Sequence, residues 1–536
     1  MALIRHFVFL AVIGLVQAQA IAQDDRPNIL LIIADDLGYA DLGIYGGDIR
    51  TPNIDALADD GILFTQFHAS PLCATTRAML YTGNNNHVVG LARQGFFPGP
   101  VIDGLAGYEN RMSDERVEFL PRLLRQSGYR TYLAGKWHLG QTIDASPWAA
   151  GFDRSFAFKF GGAAHFSGTG IRQTGPKYFK DDSEVDWPQG AYSTELYTDT
   201  LIDYLEMDKD SDRPFFMVAA YTSPHWPLQV PDEDRDLYTG RYDMGYDRLR
   251  EQRFESLQAA GVIPEESKLP PRNPAITRFD DLGQQAQRME SRKMELYAAM
   301  LDNLDRHIGR LLGYLRGNDL YDNTLIVFMS DNGAAGEDFY YSGPFHEYIQ
   351  AHYDDSYERA GMPGNFLSYG PQWAEAGSAP FKLYKQFPSQ GGIVSPLIIT
   401  GAGVSQREEF ADIYVTAMDL APTLLEVAGA TYPVDKLPML GESAWPYLAG
   451  GADAVHDDSY VTTFSYLQRA FVRQGDWKLM TLEQPFDERD FALYDIAADP
   501  GETIDLSRLN PRKRDEMIEL WRQERRKLGI ILPEDL

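Results

Sequence analysis

Short, almost continuous apolar runs alternate along the chain with longer segments in which apolar residues recur every three or four positions. The apolar runs lie at residues 29–34, 131–134, 215–220, 325–329 and 397–400. Strands covered on both faces have this character, which is typical of parallel sheets. Helical spacing occurs at residues 51–61, 118–127, 290–315 and 415–427. The alternation predicts an α/β fold, with a large doubly wound sheet that is mixed but mostly parallel and is flanked by helices.

The pattern changes near residue 455. Short strand-like pieces follow one another at residues 460–464, 470–473 and 477–480. A charged segment with helical spacing then covers residues 512–527. We therefore predict a large α/β domain over residues 23–454. A small C-terminal α+β subdomain, an antiparallel sheet plus a helix, is predicted over residues 455–536.

The first residues have the pattern of a secretory signal peptide. Arg5 and His6 precede a short apolar run at residues 7–16, and small residues suited to cleavage occur at 20–22. The run is too short to span a bilayer, although a membrane anchor is the alternative. We expect residues 1–22 to be removed, which leaves a periplasmic or secreted protein without stable membrane insertion.

Charge and cysteine content narrow the range of functions. The 536 residues include 49 Lys and Arg against 78 Asp and Glu, for a formal net charge of −29. Because there is no basic surplus to neutralise phosphates, nucleic acid is not an expected partner. Export permits disulfides, but Cys73 is the single cysteine and has no partner within the chain. A lone thiol in an exported chain indicates a reactive group.

Acidic and amide side chains follow two of the predicted strands. Asp35 and Asp36 come directly after the first strand, and Asp331 and Asn332 come just after the fourth. Open α/β sheets bind ligands outside the carboxyl ends of their strands. Each pair alone also fits a turn or a helix cap. Together they offer three carboxylates and an amide, which are hard oxygen ligands that favour Ca²⁺ or Mg²⁺ over zinc.

Basic side chains lie at further strand ends. Lys136 and His138 follow the second strand, and residues two apart in an extended segment point to the same side. His225 follows the third strand between two prolines, and Lys385 precedes the fifth strand. Each of these residues alone is also compatible with ordinary loop polarity.

Cys73 completes this set of side chains. It lies in Cys73-Ala74-Thr75-Thr76-Arg77, so that a thiol and a guanidinium are four residues apart. If the strand ends gather in space, a metal and several cations surround a nucleophile. Such a pocket suits a tetrahedral oxyanion ester, either a sulfate or a phosphate.

These residues resemble the type I sulfatases of the alkaline phosphatase-like superfamily, and most of all the bacterial periplasmic arylsulfatases. The matching motifs lie at residues 27–41, 51–55, 73–83, 135–140, 330–333, 390–393, 474–478 and 493–495. Ordered motifs over nearly the whole mature chain make the resemblance specific. It implies a sulfuric ester hydrolase that converts a sulfate ester into an alcohol or phenol and inorganic sulfate.

The resemblance implies that Cys73 is oxidised after translation to Cα-formylglycine (3-oxoalanine). Hydrated, this aldehyde is a gem-diol. One hydroxyl attacks sulfur, which gives an enzyme-bound sulfate ester and releases the alcohol. The second hydroxyl then loses its proton and expels sulfate. An unmodified Ser or Cys lacks the second hydroxyl, so the chemistry requires the modification at this position.

The resemblance also implies one bound divalent cation per chain, Ca²⁺ in preference to Mg²⁺. Its ligands would be Asp35, Asp36, Asp331 and Asn332. The cation would polarise a sulfate oxygen and lower the pKa of the nucleophile. Asp331 is a further candidate to accept the proton of the attacking hydroxyl.

The remaining roles follow from the same resemblance. Arg77 would orient the diol, and Lys136 and Lys385 would bind sulfate oxygens. His138 would be the base for the elimination step. His225, together with Lys385, would stabilise or protonate the leaving oxygen.

One position departs from the motif that the maturation enzyme recognises, Cys-x-Pro/Ala-x-Arg, because Thr75 is third. We expect a formylglycine-generating enzyme as a partner that tolerates this change. Two alternatives stay open: a phosphonate monoester hydrolase or phosphodiesterase of the same superfamily, and a non-catalytic binding protein in which Cys73 is unmodified.

The alcohol portion of the substrate is not specified by these motifs. Small aryl sulfates and sulfated carbohydrates both fit. A segment rich in Tyr, Gly and Pro at residues 334–379 has weak periodicity. Long irregular segments of this kind are usually functional, so we expect it to shape the mouth of the site.

Overall fold

The computed structural model describes residues 26–92, 105, 107–109, 111–171, 178–338, 343, 345–405, 410–466, 468–532 and 535. The predicted signal peptide, residues 1–22, lies outside these ranges. Within them, no helix combines the length and the apolar character needed to cross a membrane.

A ten-stranded sheet forms the centre of the described structure. Its strands are β1 (Asn28–Ala34), β2 (Gly61–His68), β3 (Arg130–Lys136), β4 (Arg154–Phe158), β5 (Tyr178–Lys180), β6 (Ser183–Val185), β7 (Phe215–Ala220), β8 (Thr324–Ser330), β9 (Leu397–Gly401) and β10 (Phe410–Thr416). The order across the sheet is β10-β2-β9-β8-β1-β7-β3-β4-β5-β6. All of these strands run in one direction except β5 and β9.

Helices cover this sheet and connect its strands. The helices of the described residues, including α12 of the C-terminal region, are α1 (Pro52–Asp59), α2 (Cys73–Thr82), α3 (Leu120–Gln126), α4 (Ser193–Met207), α5 (Gly245–Ala259), α6 (Gln284–Gly317), α7 (His346–His352), α8 (Gly370–Gly377), α9 (Gln390–Ile393), α10 (Leu420–Val427), α11 (Trp445–Leu448) and α12 (Pro511–Leu528). The predicted fold class, a mixed and mostly parallel sheet flanked by helices, is confirmed.

The central strand shows why the apolar runs are nearly continuous. Leu30 and Ile32 pack into the core on one face of the sheet. Ile29, Leu31 and Ile33 pack into a second core on the other face. All five side chains are fully buried. Because both faces are covered by helices, successive residues are apolar and the usual alternation with polar residues is lost.

Two elements differ from the sequence analysis. The sequence did not reveal β2, since Thr65 and Gln66 interrupt its apolar run. The helix expected at residues 415–427 starts two residues later, as a 3-10 turn at Ala417–Asp419 that continues into α10 at Leu420. Val415 and Thr416 instead end β10, where they pair with β2, and Thr416 forms a capping box with Asp419 before the helix. Tertiary pairing therefore overrides the local helical pattern at this position.

The C-terminal part of the chain forms a separate antiparallel sheet. Its strands are β11 (Val461–Tyr466), β12 (Arg469–Gln474), β13 (Trp477–Thr481) and β14 (Ala492–Asp495), in that order. Helix α12 packs on this sheet through Met517 and Trp521, which share a core with Leu479 and Leu493. This arrangement agrees with the predicted antiparallel sheet plus helix.

The segment at residues 334–379 has a mixed character. Helices α7 and α8 lie within it, and Trp373 of α8 is fully buried against Tyr242 and Tyr246. Phe366, however, contacts Trp226, the neighbour of His225. The segment therefore contributes to the core through α8 and approaches the strand ends through Phe366.

We predict that Trp521→Ala destabilises the protein by about 3–5 kcal/mol, because it opens a cavity between α12 and the aromatic rings of Phe486 and Phe491. The urea midpoint, followed by circular dichroism, should fall accordingly. Trp148→Ala is the matched control, since this side chain is 46% exposed, and its midpoint should stay near that of the parent. Equal midpoints for the two variants would contradict the assigned packing.

Candidate active site

The topology brings several strand ends to one edge of the sheet. Strands β8, β1, β7 and β3 are consecutive neighbours and parallel, so their carboxyl ends meet. Strand β9 is antiparallel to β8, and its beginning therefore lies at the same edge. This explains why Lys385, which precedes β9 in the chain, reaches residues that follow other strands.

Cys73 is placed by the strand that the sequence did not reveal. Strand β2 ends at His68, and a short loop leads to Cys73, the first residue of α2. The thiol is 1% exposed, and its Sγ lies 3.5 Å from Asp36 Oδ1. Burial raises the pKa of the Cys73 thiol well above its ordinary value, although Lys136 and Lys385 oppose this shift. An unmodified Cys73 is therefore held as a neutral thiol.

Asp36 is the hub of the cluster. Its Oδ1 accepts a hydrogen bond from Asn332 Nδ2 at 2.6 Å. Its Oδ2 lies 2.7 Å from Lys385 Nζ and 3.3 Å from His225 Nε2. Asp36 adopts φ +65°, an uncommon backbone region for a residue with a side chain. Five side chains from separate segments, counting Cys73 and Asp36 itself, thus meet at one carboxylate.

Asp35 forms a second buried ion pair. Lys136 Nζ donates to both carboxylate oxygens of Asp35 at 2.7 Å, and both side chains are fully buried. Burial raises the pKa of Asp35 to about 8, Lys136 opposes the shift, and Asp331 and Asp36 add to it. Neighbouring carboxylates therefore repel one another here, and positive charge is needed to keep them all ionised.

Arg77 fixes the third carboxylate. Its Nε and Nη2 lie 2.9 and 2.8 Å from Asp331 Oδ2, and its Nη1 donates to the Lys136 carbonyl at 2.7 Å. Asp331 Oδ1 accepts from the backbone N–H of Asp36 at 3.3 Å. Arg77 is fully buried, so it connects helix α2 to the ends of β3 and β8.

The residues present fit a hard divalent cation. Asn332 Oδ1 is buried and has no hydrogen-bond partner in the described structure. His225 donates from Nδ1 to the Trp226 carbonyl at 2.6 Å, which leaves a lone pair on Nε2 directed toward Asp36. Asp35, Asp36, Cys73 and His225 each offer a ligand atom within 4.8 Å of the others. An orphaned amide oxygen beside three carboxylates matches the donor set of Ca²⁺ or Mg²⁺.

The two histidines lie against a pair of glycines. His138 adopts φ +61°, so it turns away from the extended conformation that the sequence suggested for this segment. A Cβ on Gly161 would lie 2.6 Å from His138 Cε1, and one on Gly162 would lie 2.8 Å from His225 Cε1. Both imidazole rings therefore depend on glycine at these positions.

The electrostatic surroundings keep both imidazoles neutral. Burial lowers the pKa of His138 well below its ordinary value, and Lys136 and Arg77 act in the same direction. Burial, Lys136 and Lys385 do the same for His225. The Nδ1 atom of His138 is buried without a hydrogen-bond partner in the described ranges. It is thus available for a substrate or a reacting group.

Glu337 and the two glycines were missed by sequence reasoning. Glu337 Oε1 lies 3.4 Å from Lys385 Nζ and accepts from Gln386 Nε2 at 3.0 Å. Glu337 lies within the weakly periodic segment, and no strand end marks it. Gly161 and Gly162 were missed because their role depends on rings from distant segments, although a Gly-Gly pair after an apolar run could have flagged close packing.

A buried network supports the loop after Asp36. Asp41 Oδ1 pairs with Arg253 Nη1 at 2.5 Å, and its Oδ2 accepts from the Tyr297 hydroxyl at 2.6 Å. The same Oδ2 accepts from the backbone N–H of Gly38 at 2.9 Å. This network holds the turn that carries the two adjacent aspartates.

Comparison with known proteins agrees with this geometry. The sulfatase family model matches residues 27–430, and a model of the C-terminal region of N-sulphoglucosamine sulphohydrolase matches residues 383–526. An uncharacterized sulfatase of Schizosaccharomyces pombe is 35% identical over 539 residues, 96% of each chain. An arylsulfatase of Klebsiella aerogenes is 37% identical over 436 residues, 79% of this chain and 92% of the relative.

A solved structure has the same fold. The crystal structure of Ps i-CgsB has a TM-score of 0.65 at 25% identity, and the similarity covers 93% of this chain and 92% of that one. The resemblance stated from the motifs is therefore confirmed over most of the chain. This protein belongs to the sulfatase family, as a type I sulfatase of the alkaline phosphatase-like superfamily, and it hydrolyses sulfate esters.

Proposed function

We propose that this sulfatase is an exported, arylsulfatase-type enzyme that acts through formylglycine at position 73 and one bound Ca²⁺. The observation that carries the proposal is the position of Cys73, with Sγ 3.5 Å from the carboxylate to which Asn332 and Lys385 also converge. A reacting group at this position therefore lies beside a carboxylate that an amide and an ammonium group also contact.

The modified residue supplies chemistry that a thiol does not. As a hydrated aldehyde, formylglycine supplies one hydroxyl for attack on sulfur and a second whose deprotonation releases sulfate. Asp331 accepts a hydrogen bond from Arg77, and its carboxylate can accept the proton of the attacking hydroxyl. Arg77, anchored at both Asp331 and the Lys136 carbonyl, orients the diol.

The cation site is formed by Asp35, Asp36, Asp331 and Asn332. Ca²⁺ bound there supplies a Lewis acid that polarises a sulfate oxygen and favours the ionised nucleophile. The unpartnered Oδ1 of Asn332 supports its role as a ligand. Mg²⁺ is the less favoured choice because it demands a tighter octahedral arrangement, whereas Ca²⁺ accepts flexible sets of carboxylates.

The basic residues bind the ester and move its protons. Lys136 and Lys385 each carry three N–H donors, and the ones not used on Asp35 and Asp36 can bind sulfate oxygens. Lys385 lies at Asp36, where its ammonium group stabilises the leaving oxygen, and His225 at the same carboxylate assists once Nε2 carries a proton. His138, with an unpartnered Nδ1, is the base for the elimination step.

Charge balance supports a monoanionic ester as the substrate. In the described structure, four carboxylates lie together with the cations Lys136, Lys385 and Arg77. The carboxylates are those of Asp35, Asp36, Asp331 and Glu337, so with all groups ionised one negative charge remains. A divalent cation and a sulfate monoester together add one positive charge and neutralise the site. A dianionic phosphate monoester would leave it negative. A phosphonate monoester is also monoanionic, so charge does not distinguish it from a sulfate ester. Comparing hydrolysis of the two substrates tests this weaker alternative.

We propose export through cleavage of residues 1–22, followed by a catalytic domain over 23–454 and the C-terminal subdomain. The maturation enzyme acts on Cys73 before folding, because the folded thiol is buried. Thr75 does not disturb the folded segment, since its hydroxyl lies 2.5 Å from Ser70 Oγ and donates to the Leu72 carbonyl at 2.9 Å. Small aryl sulfates and sulfated carbohydrates are the two substrate classes to test.

The modification is tested by peptide mass spectrometry of the Cys73 segment, alongside a chromogenic aryl sulfate assay. We expect the mass change of cysteine to formylglycine, hydrolysis of the sulfate ester, and no activity in Cys73→Ala. A matched aryl phosphonate should be hydrolysed more slowly. A fully unmodified thiol in a host that modifies other sulfatases, with no turnover, would favour a binding protein.

The metal assignment is tested by chelation and by Asn332→Ala. Removal of the metal should abolish turnover, and Ca²⁺ should restore it better than Mg²⁺. Loss of the amide ligand should weaken Ca²⁺ affinity by roughly 10–100-fold, the range seen when groups at a metal site are removed. Asn318→Ala, at the exposed end of α6, is the control and should bind Ca²⁺ like the parent. Unchanged affinity in Asn332→Ala would refute this ligand.

The contact of Gly161 with His138 predicts that Gly161→Ala lowers kcat by about 100-fold, because an added methyl group displaces the imidazole. Circular dichroism should be unchanged. Gly313→Ala, in α6, is the control, since its added Cβ meets no atom within 4 Å in the described structure. Full activity in Gly161→Ala would contradict the role of His138 as the base for the elimination step.

A further inference from the structure

A buried ion pair connects the C-terminal sheet to the catalytic part of the chain. Lys478 lies in β13, within the motif at residues 474–478 to which no role has been given above. Its Nζ donates to Glu502 Oε1 at 2.6 Å, to the Pro388 carbonyl at 2.7 Å and to Gln390 Oε1 at 3.1 Å. All three N–H donors of the ammonium group are thereby used. The side chains of Lys478 and Glu502 are both fully buried.

Glu502 holds the same segment from its other oxygen. Its Oε2 accepts from the backbone N–H of Gln390 at 2.9 Å, at the start of α9. Glu502 itself adopts φ +52°, a conformation that costs free energy for a residue with a side chain and is kept where surroundings enforce it. The ion pair therefore binds residues 388–390 through both a carbonyl and an N–H group.

The segment anchored in this way carries Lys385. It has little regular structure, and both Leu383 and Gln386 adopt positive φ angles, +61° and +74°. The backbone N–H of Lys385 donates to the Ala334 carbonyl at 3.1 Å, and that of Gln386 donates to the Pro71 carbonyl at 2.9 Å. Lys385 thus lies between the loop that follows Asn332 and the loop that precedes Cys73.

A second contact from the C-terminal sheet reaches the same segment. Arg469, at the start of β12, places its guanidinium 4.2 Å from the centre of the Phe387 ring. Its Nη1 also donates to the Gln386 carbonyl at 3.4 Å. The segment around Lys385 is therefore bounded on its C-terminal side by residues of the C-terminal sheet.

We propose that the Lys478–Glu502 pair is a positioning device, through which the C-terminal sheet fixes the ammonium group of Lys385 against Asp36 and the sulfate group. The inference rests on the role proposed for Lys385 and extends it to residues that do not touch the substrate. Buried ion pairs are often no more stabilising than apolar residues of similar size. A pair that binds two backbone groups of one irregular segment is instead suited to fix its conformation.

The experiment replaces the pair without leaving a lone buried charge. The variants are the double replacement Lys478→Met with Glu502→Leu, the reference Lys385→Ala, and all three changes combined. The control pair is Arg522→Met with Glu488→Leu, a partly exposed pair in the same C-terminal region. Each full-length protein is normalised for its formylglycine content by mass spectrometry. The measurements are kcat and KM for an aryl sulfate, competitive inhibition by inorganic sulfate, Ca²⁺ affinity and thermal midpoint.

The double variant should lose about 10- to 100-fold in kcat/KM and bind inorganic sulfate more weakly, because Lys385 is displaced. Its Ca²⁺ affinity should match that of Lys385→Ala, since the pair reaches the metal ligands only through the contact of Lys385 with Asp36. In the Lys385→Ala background, removing the pair should have almost no further effect, which a general loss of structure would not reproduce. The control pair should leave all five quantities unchanged.

Two results would overturn the inference: parent kinetics in the double variant, or losses that simply multiply with those of Lys385→Ala. Failure of the proposed function would look different, because Lys385→Ala itself would then have parent kinetics. If the double variant does not fold, Lys478→Met with Glu502→Gln carries the same comparison, since it removes both charges and keeps the size of the two side chains. The same two outcomes decide for that variant.

Discussion

The mutual repulsion of buried carboxylates is the constraint on which this structure depends. Asp35, Asp36 and Asp331 are all fully buried within one cluster, and like charges in such a place raise each other's pKa unless cations are near. Three cations supply this compensation, one for each carboxylate. Lys136 pairs with Asp35, Lys385 with Asp36, and Arg77 with Asp331. The site therefore exists only if segments distant in the chain deliver these cations together. The large, mostly parallel sheet brings them together because the carboxyl ends of its parallel strands lie at one edge.

The antiparallel strand β9 has a particular consequence for Lys385. Lys136 ends a parallel strand and Arg77 is held by helix α2, whereas Lys385 lies on an irregular segment that must be held from outside. Lys478 and Glu502 supply a fixed point a few residues away. In the proposed arrangement, the C-terminal sheet is joined to the catalytic part because it bounds Lys385, a cation that lies on an irregular segment of the described structure.

Much of the fold and of the site could be predicted from local sequence, and the misses have a common physical cause. The runs before Asp35 and Asp331 were readable because a strand buried on both faces is continuously apolar and ends in polar ligands. Strand β2 was not readable, since Thr65 and Gln66 are accommodated by contacts with the distant strand β10: the Thr65 hydroxyl donates to Asp412, and Gln66 pairs with Tyr414. Gly161 is likewise explained only by the imidazole ring packed on it.

Substrate choice follows from the same balance of charges that holds the site together. Each carboxylate of the metal cluster already pairs with a cation. A bound divalent ion therefore adds positive charge, which an anionic ester would neutralise. Glu337 approaches Lys385 from outside the cluster, and its negative charge would cancel one of the two positive charges of the metal ion. A single negative charge on the ester would then neutralise the site. In the proposed function, preference for a monoanion would therefore depend on a residue that neither binds the metal nor follows a strand. In the proposed function, the whole pocket would select the charge of the ester, and bordering segments such as the one carrying Phe366 would select its alcohol.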